Sequence, residues 1–288
     1  LRLALAVVMV ATFVRVLFVY TTSIPLFFDE AQYWTWSQML DFGYYSKPPM
    51  IAWAIAATTS VCGDAEGCVR LSSPIMHGAT AIILYLLGRQ FYSARAGFWA
   101  AVTYAVLPGV SLSAVIISTD VFLLFFWALA FLAFVRADET NAMRWWIVFG
   151  LALGFGLLSK YAMFFFLLCL IADAMSKTPV KASWGNPRLW ISLGLAAVIY
   201  APNLIWNWSK DWPTYRHTGD NMNLGGPLFN PLSALEFIGG QFGVFGPILF
   251  AILLWLAWFR LRTRAARKAV SRKERRLWAF SLPVLTLI

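Results

Sequence analysis

Charge is scarce in this chain, and histidine and cysteine are scarcer. Asp, Glu, Lys and Arg make up only 12% of its 288 residues, about half the roughly 25% usual in soluble domains. Hydrophobic residues reach 60% and aromatic ones 17%, which excludes a water-soluble domain of this length. Two histidines and three cysteines, widely scattered, leave no Cys/His zinc cage.

What fills the sequence instead is apolar runs of about 20 residues, the length that crosses hydrocarbon. They predict an all-α, polytopic helical membrane protein. Spans are expected at 3–23, 71–90, 96–117, 119–136, 144–158, 161–176, 188–206 and 238–260, with a ninth beginning at 277. No small-residue cleavage site follows 3–20, so that stretch reads as a retained helix and not a signal peptide. The chain opens on Leu1 and stops inside the apolar run 277–288. Both ends read as cut, making 1–288 a single truncated transmembrane domain with its C-terminal part missing.

The net charge of +10 invites a nucleic-acid partner, but its placement argues against one. Nine of the 23 Lys and Arg fall between Arg260 and Arg276, a cytoplasmic positive-inside loop at 260–276 placed to touch anionic lipid. With the N-terminus inside, sixteen basic residues lie on inner loops. Only five, Lys47, Arg70, Lys160, Lys210 and Arg216, lie outside. Nine of the 13 carboxylates fall on the outer side, a bias the positive-inside rule does not require. An acidic, tryptophan-rich outer face suggests a site there.

Two outer stretches, 24–70 and 207–237, are longer than connections need to be. Within the first, Met50-Ile51-Ala52-Trp53-Ala54-Ile55-Ala56 is too short to span and suits an interfacial helix. Cys62 and Cys68 bracket a short acidic turn and are a disulfide candidate if that side is oxidising. Cys169 lies mid-helix and reads as packing.

Five separate segments bring polar groups to this face: Asp29-Glu30, Lys47, Ser118-Thr119-Asp120, Ser159-Lys160-Tyr161 and Tyr215-Arg216-His217. Each also has a plainer reading. Asp29 and Glu30, like Asp120, suit a helix N-terminus; Lys47 suits a snorkelling position; Lys160 marks a tight turn; a lone loop histidine such as His217 is often inert. His77, inside a span, reads as a satisfied packing residue. Together the groups make a different pattern. An enzyme using a lipid-phosphate donor must gather cations at the headgroup plane for the leaving phosphate. It must also set a carboxylate opposite them to deprotonate an acceptor hydroxyl. Lys47, Lys160 and Arg216 meet the first need and Asp29 the second. Arg15 lies deep in the first span and must face the bundle interior.

Phe28-Asp29-Glu30-Ala31-Gln32-Tyr33-Trp34, Gly43-Tyr44-Tyr45-Ser46-Lys47-Pro48-Pro49 and Val69-Arg70-Leu71 carry a resemblance. Ser118-Thr119-Asp120, Ser159-Lys160-Tyr161, the run Pro202 to Asn207 and Gly240-Gln241 extend it over nearly the whole chain. The sequence resembles the polyprenyl-phosphate-sugar-dependent glycosyltransferases of the GT-C fold, notably bacterial aminoarabinose lipid A transferases and, further off, protein O-mannosyltransferases. The resemblance implies a GT-C-type bundle with interfacial helices in the first periplasmic loop. It also implies inverting transfer from a polyprenyl-phosphate sugar to lipid A, a core sugar or a protein, at the periplasmic face of the bacterial inner membrane. Asp29, Glu30 and Asp120 are then the catalytic candidates, and Lys47, Lys160, Arg216, His217 and Arg70 the donor-phosphate set. No cofactor is obligate, and a weak divalent-cation site at Asp29, Glu30 and Asp120 is the one metal position in view. Polytopic architecture alone would also suit a lipid or solute transporter or flippase, but such proteins place ionisable groups near the midplane, where only Arg15 lies. A non-catalytic assembly subunit using the aromatic loops as a binding surface is a third class.

Overall fold

A computed structural model describes residues 1–175, 184–222, 231–262 and 271–281. Among them every regular element is helical. In chain order these are α1 (Arg2–Thr21), α2 (Phe28–Ser37), α3 (Met50–Cys62), α4 (Glu66–Arg70), α5 (Ser72–Phe91), α6 (Ala94–Val106), α7 (Pro108–Ser113) and α8 (Thr119–Thr140). Then follow α9 (Met143–Ser159), a 3-10 turn (Tyr161–Phe164), α10 (Phe165–Met175), α11 (Pro187–Ser209), α12 (Pro213–Met222), α13 (Pro231–Phe245), α14 (Pro247–Arg262) and α15 (Arg272–Ala279).

Among the described residues four helices are long and apolar enough to cross a membrane, or five if the bent pair α13–α14 counts as one span. α1 is hydrophobic on all sides and mostly exposed (Leu3, Val10, Phe13, Leu17), as suits a lipid-facing helix. The core runs between α8, α9, α10 and α11, around Phe134, Trp146, Phe149 and Phe166. α5 and α6 approach closely enough that a Cβ on Gly97 would sit 2.4 Å from the Tyr85 carbonyl oxygen, the small-residue contact usual between membrane helices. The stretch 24–70 forms three helices, α2, α3 and α4, with Ile51, Ala52 and Ile55 of α3 buried.

Two expected spans are corrected. The run 96–117 breaks at Leu107–Pro108 into α6 and α7, because proline offers no N–H and its ring disfavours a helical residue before it. The run 238–260 is bent by 119° between Phe245 and Pro247, at Gly246, which holds φ +78°. Residues 272–279 form amphipathic α15, and most of the ninth span expected from 277 lies outside the described residues. Residues 263–270 of the basic loop, 223–230 of the second outer stretch and 282–288 lie outside the described residues.

The break at Pro108 explains Arg15. Its guanidinium donates to the carbonyl of Ala105, freed at the end of α6, and to Ser111 Oγ at 3.0 Å. A cation at a helix C-terminus also meets the negative end of the helix dipole. His77 is satisfied on both nitrogens, by Tyr104 Oη at 2.8 Å and Ser113 Oγ at 3.1 Å.

Candidate active site

Glu30 and Asp29 open α2 one helical step apart, about 100° around its axis, and that rotation separates their fates. Glu30 is 1% exposed and Arg70 also 1%. Arg70 donates from Nε to Glu30 Oε1 at 2.9 Å and from Nη2 to Oε2 at 2.6 Å. The same carboxylate accepts the backbone N–H of Phe27 at 3.0 Å and of Ile117 at 2.9 Å. Arg70 spends its other donors on the carbonyls of Ile24 and Pro25. The pair therefore bolts the chain's exit from α1, the end of α4 and the approach to α8 together. This corrects two candidates: Glu30 is not available as a catalytic acid, nor Arg70 as a phosphate ligand.

Asp29 is exposed and makes no hydrogen bond or ion pair among the described residues. One turn further along α2, Tyr33 is buried in a small core with Ile51, Ile55, Ile117, Val121 and Phe122. Its phenol is pushed well above the usual tyrosine range, first by burial, then by the charges of Asp29 and Asp120. Val121 and Phe122 of that cluster follow Asp120 in α8, which brings the start of α8 against α2. Asp120 lies in the first turn of α8, where the helix dipole favours an anion. Lys160 Nζ donates to its Oδ1 at 2.7 Å. Lys160 is extended between α9 and the 3-10 turn, and about a third of its side chain is exposed against half of that of Asp120.

Lys47 is carried on a pinned loop between α2 and α3. Tyr44 N–H bonds the Lys47 carbonyl at 3.1 Å, and Tyr44 stacks on Trp36 with ring centroids 4.8 Å apart. Asn203 of α11 donates to the Phe42 carbonyl at 2.7 Å, and Thr214 of α12 to the Tyr44 carbonyl at 2.6 Å. A Cβ on Gly43 would lie 2.4 Å from the Trp206 ring, so this docking needs glycine. Lys47 is half-buried and has no polar side-chain partner among the described residues. Three residues on, Met50 packs against the Tyr33 cluster and the main core. No hydrogen bond or ion pair joins Lys47 to Asp29 or Asp120.

Arg216 and His217 lie on the far side of that loop. The His217 ring sits 5.1 Å from Tyr45 and Nε2 is 3.0 Å from Asn221 Nδ2. Arg216 is exposed and pairs with Asp211 at 2.8 Å. Asp211 and Trp212 both have positive φ, 66° and 59°, an uncommon state for non-glycine residues that turns α11 into α12. Beneath them Tyr161 stacks on Tyr215 at 4.7 Å, Tyr200 and Tyr215 share a hydrogen bond, and Tyr161 Oη bonds Asn203 and Asn207, both at 3.2 Å.

Tyr33, Asn203, Asn207 and Thr214 were absent from the sequence-based set, and Tyr215 entered it only through the segment Tyr215-Arg216-His217. Asn203 and Asn207 had a signal, two amides at i and i+4 on one face of an apolar helix. Tyr33 had another, four residues beyond Asp29. The carboxylate trio proposed for a cation is also corrected, because Glu30's oxygens are already engaged. Among the described residues no three His, Cys, Asp or Glu side chains gather closely enough to hold a metal. Cys62 and Cys68 are joined, with Cα atoms 5.9 Å apart.

The bundle and its three-helix first loop define a helical membrane protein of the GT-C fold. ArnT from Cupriavidus metallidurans, solved in the apo state, superposes with a TM-score of 0.68 at 18% identity, over 98% of this chain and 58% of that one. The oligosaccharyltransferase of Archaeoglobus fulgidus, solved with zinc and sulfate, superposes with a TM-score of 0.50 at 17% identity, over 96% and 48%. A sequence profile of the dolichyl-phosphate-mannose-protein mannosyltransferase family matches residues 46–206, and the chain belongs to that family. Lipid A galacturonosyltransferase RgtD of Rhizobium johnstonii is 39% identical over 292 residues, covering 100% of this chain and 59% of that protein. Lipopolysaccharide core galacturonosyltransferase RgtA of the same organism is 30% identical over 187 residues, covering 62% and 36%. The chain thus spans no more than 59% of the length of these curated relatives.

Proposed function

We propose that this chain carries the donor half of an inverting glycosyltransferase. It moves a uronosyl residue from a polyprenyl-phosphate donor to lipid A at the periplasmic face of a bacterial inner membrane. The observation that carries the reading is the exposed, unpartnered carboxylate of Asp29 one turn before Tyr33, whose cluster also takes in Val121 and Phe122, next in the chain to the Lys160-paired Asp120. The 39% identity to a lipid A galacturonosyltransferase supports both the sugar and the acceptor, and the sixteen-to-five distribution of basic residues supports the side.

In this reading the acceptor oxygen attacks the anomeric carbon as the bond from that carbon to the phosphate oxygen breaks. The sugar inverts and the polyprenyl phosphate leaves with the bonding pair. Asp29 takes the proton of an acceptor hydroxyl; where the acceptor is a lipid A phosphate, already anionic, Asp29 only orients it. Lys47, uncommitted, and Lys160, shared with Asp120, stabilise charge on the departing phosphate. Arg216 and His217 border the site from the second outer loop. No step is assigned to a metal ion, although Asp29 and Asp120 would accept a divalent cation carried in with a phosphate.

The test is reconstitution of the full-length protein in proteoliposomes with polyprenyl-phosphate galacturonate and lipid A, followed by mass spectrometry of the lipid. One added hexuronosyl residue supports the reading. Uptake or flipping of the donor without a covalent product would replace it with transport.

A further inference from the structure

Lys47 and Lys160 both sit on irregular backbone, one in the loop between α2 and α3, the other in the extended step between α9 and the 3-10 turn. Such backbone has no helical ladder to fix it, so a scaffold must hold it through side chains. Here one face of α11 holds both segments. Asn203 and Asn207 lie one turn apart on that face, each at 0% exposure.

The partners fix which way each amide points. The Phe42 carbonyl can only accept, so the Asn203 amide nitrogen faces it, at 2.7 Å. The Asn203 amide oxygen is left to accept the Tyr161 hydroxyl at 3.2 Å. The Thr214 N–H can only donate, so Asn207 Oδ1 faces it, at 3.3 Å, and Asn207 Nδ2 donates to Tyr161 Oη at 3.2 Å. Each group therefore plays the one role its chemistry leaves it. Thr214 Oγ1 completes the network by donating to the Tyr44 carbonyl at 2.6 Å.

Both lysines hang from these two amides. Tyr161 follows Lys160 in the chain, and the Tyr44 N–H bonds the Lys47 carbonyl. Apolar side chains of similar shape at 203 and 207 could pack α11 without the cost of burying amides. What the amides add is a single permitted arrangement of the two segments, as a fully satisfied buried network does.

We propose that Asn203 and Asn207 are positioning residues for the donor phosphate. They hold the Lys47 loop and the Lys160 step in one fixed relation, so that both ammonium groups meet the same phosphate. This rests on the reading of the two lysines as phosphate ligands.

The experiment uses the full-length protein in proteoliposomes, with separate KM values for polyprenyl-phosphate galacturonate and for lipid A. The Kd of polyprenyl phosphate alone gives a second readout that needs no turnover. Asn203→Leu and Asn207→Leu should each raise the donor KM and this Kd by about tenfold, inside the roughly 10²-fold that a misplacement of about 1 Å can cost. The lipid A KM should not move. Ser192→Ala removes an equally buried bond of α11, from its hydroxyl to the Trp146 carbonyl at 2.7 Å, and should leave all three constants unchanged. In a Lys47→Met background, Asn203→Leu should add less than it does in the parent, because part of its effect has lost its target. If a leucine variant fails to fold, as judged by its unfolding midpoint, Tyr161→Phe removes only the hydroxyl that joins the amides and should raise the donor constants alone.

Folded variants with parental donor constants would overturn the inference. So would equal rises for donor and lipid A, a rise matched by Ser192→Ala, or full additivity with Lys47→Met. In each of those cases the lysines keep their assignment, provided that Lys47→Met and Lys160→Met themselves weaken polyprenyl phosphate. Should neither lysine variant weaken it, the reading of the site fails and the inference falls with it.

Discussion

Asp29 and Glu30 are adjacent, yet one carboxylate is exposed without a partner while the other is sealed at 1% exposure against Arg70. The first helical step of α2 thereby divides labour between chemistry and architecture. Breaking a buried pair by removing one partner leaves an uncompensated charge and costs about 3–5 kcal/mol. Glu30→Gln and Arg70→Met should each lower the unfolding midpoint in detergent by an amount of that order, with little change in turnover per folded molecule. Normal stability in either variant would show that the pair is not the bolt described.

Asp29→Asn should behave in the opposite way. Its side chain holds nothing, so the unfolding midpoint stays within error of the parent. Transfer to a hydroxyl acceptor should fall by roughly 10²–10⁴, the usual worth of a general base. Turnover at the parent rate on such an acceptor would remove Asp29 from the mechanism.

Lys160 and Asp120 form a partly exposed pair, and such pairs contribute at most about 1 kcal/mol to stability. Lys160→Met should therefore leave folding nearly unchanged while raising the KM for the polyprenyl-phosphate donor. A double-mutant cycle with Asp120→Asn measures how much of the effect passes through the pair. An unchanged donor KM would confine Lys160 to holding the turn after α9.

The Cys62–Cys68 bridge closes a loop of only a few residues, for which chain entropy predicts roughly 2 kcal/mol. Replacing both by Ser should cost about that much in thermal unfolding. Alkylation of the denatured, unreduced parent should label one thiol, Cys169, and three after reduction.

The expected spans 3–23, 71–90, 119–136 and 188–206 fall on helices long and apolar enough to cross a membrane, because an uninterrupted apolar run has few other uses. The breaks were not legible. Leu107-Pro108-Gly109 and Gly246-Pro247 carry ordinary helix-stopping signals, but the hydrophobic runs around them outweighed those signals. That oversight also hid the partner of Arg15, since a search for an acid misses a backbone carbonyl that exists only because α6 ends at Val106. Asp29 stood out because two acids beside hydrocarbon are costly. Its division from Glu30 depended on Arg70, 40 positions away, and nothing local announced that pairing. Lys47, Asp120 and Lys160 drew attention by charge. Asn203 and Thr214, which hold the loop carrying Lys47, bear no charge and sat in segments read as hydrophobic span and loop.

Those two tethers reach back 161 and 170 positions, to Phe42 and Tyr44. Synthesis at about 5–20 residues per second delivers Asn203 on the order of ten seconds or more after the glycine-tyrosine turn that it secures. Through that interval the segment bearing Lys47 lacks both tethers. A nascent chain stalled short of Thr214 would leave that turn untethered, so the loop of Lys47 is completed only by a helix made long after it.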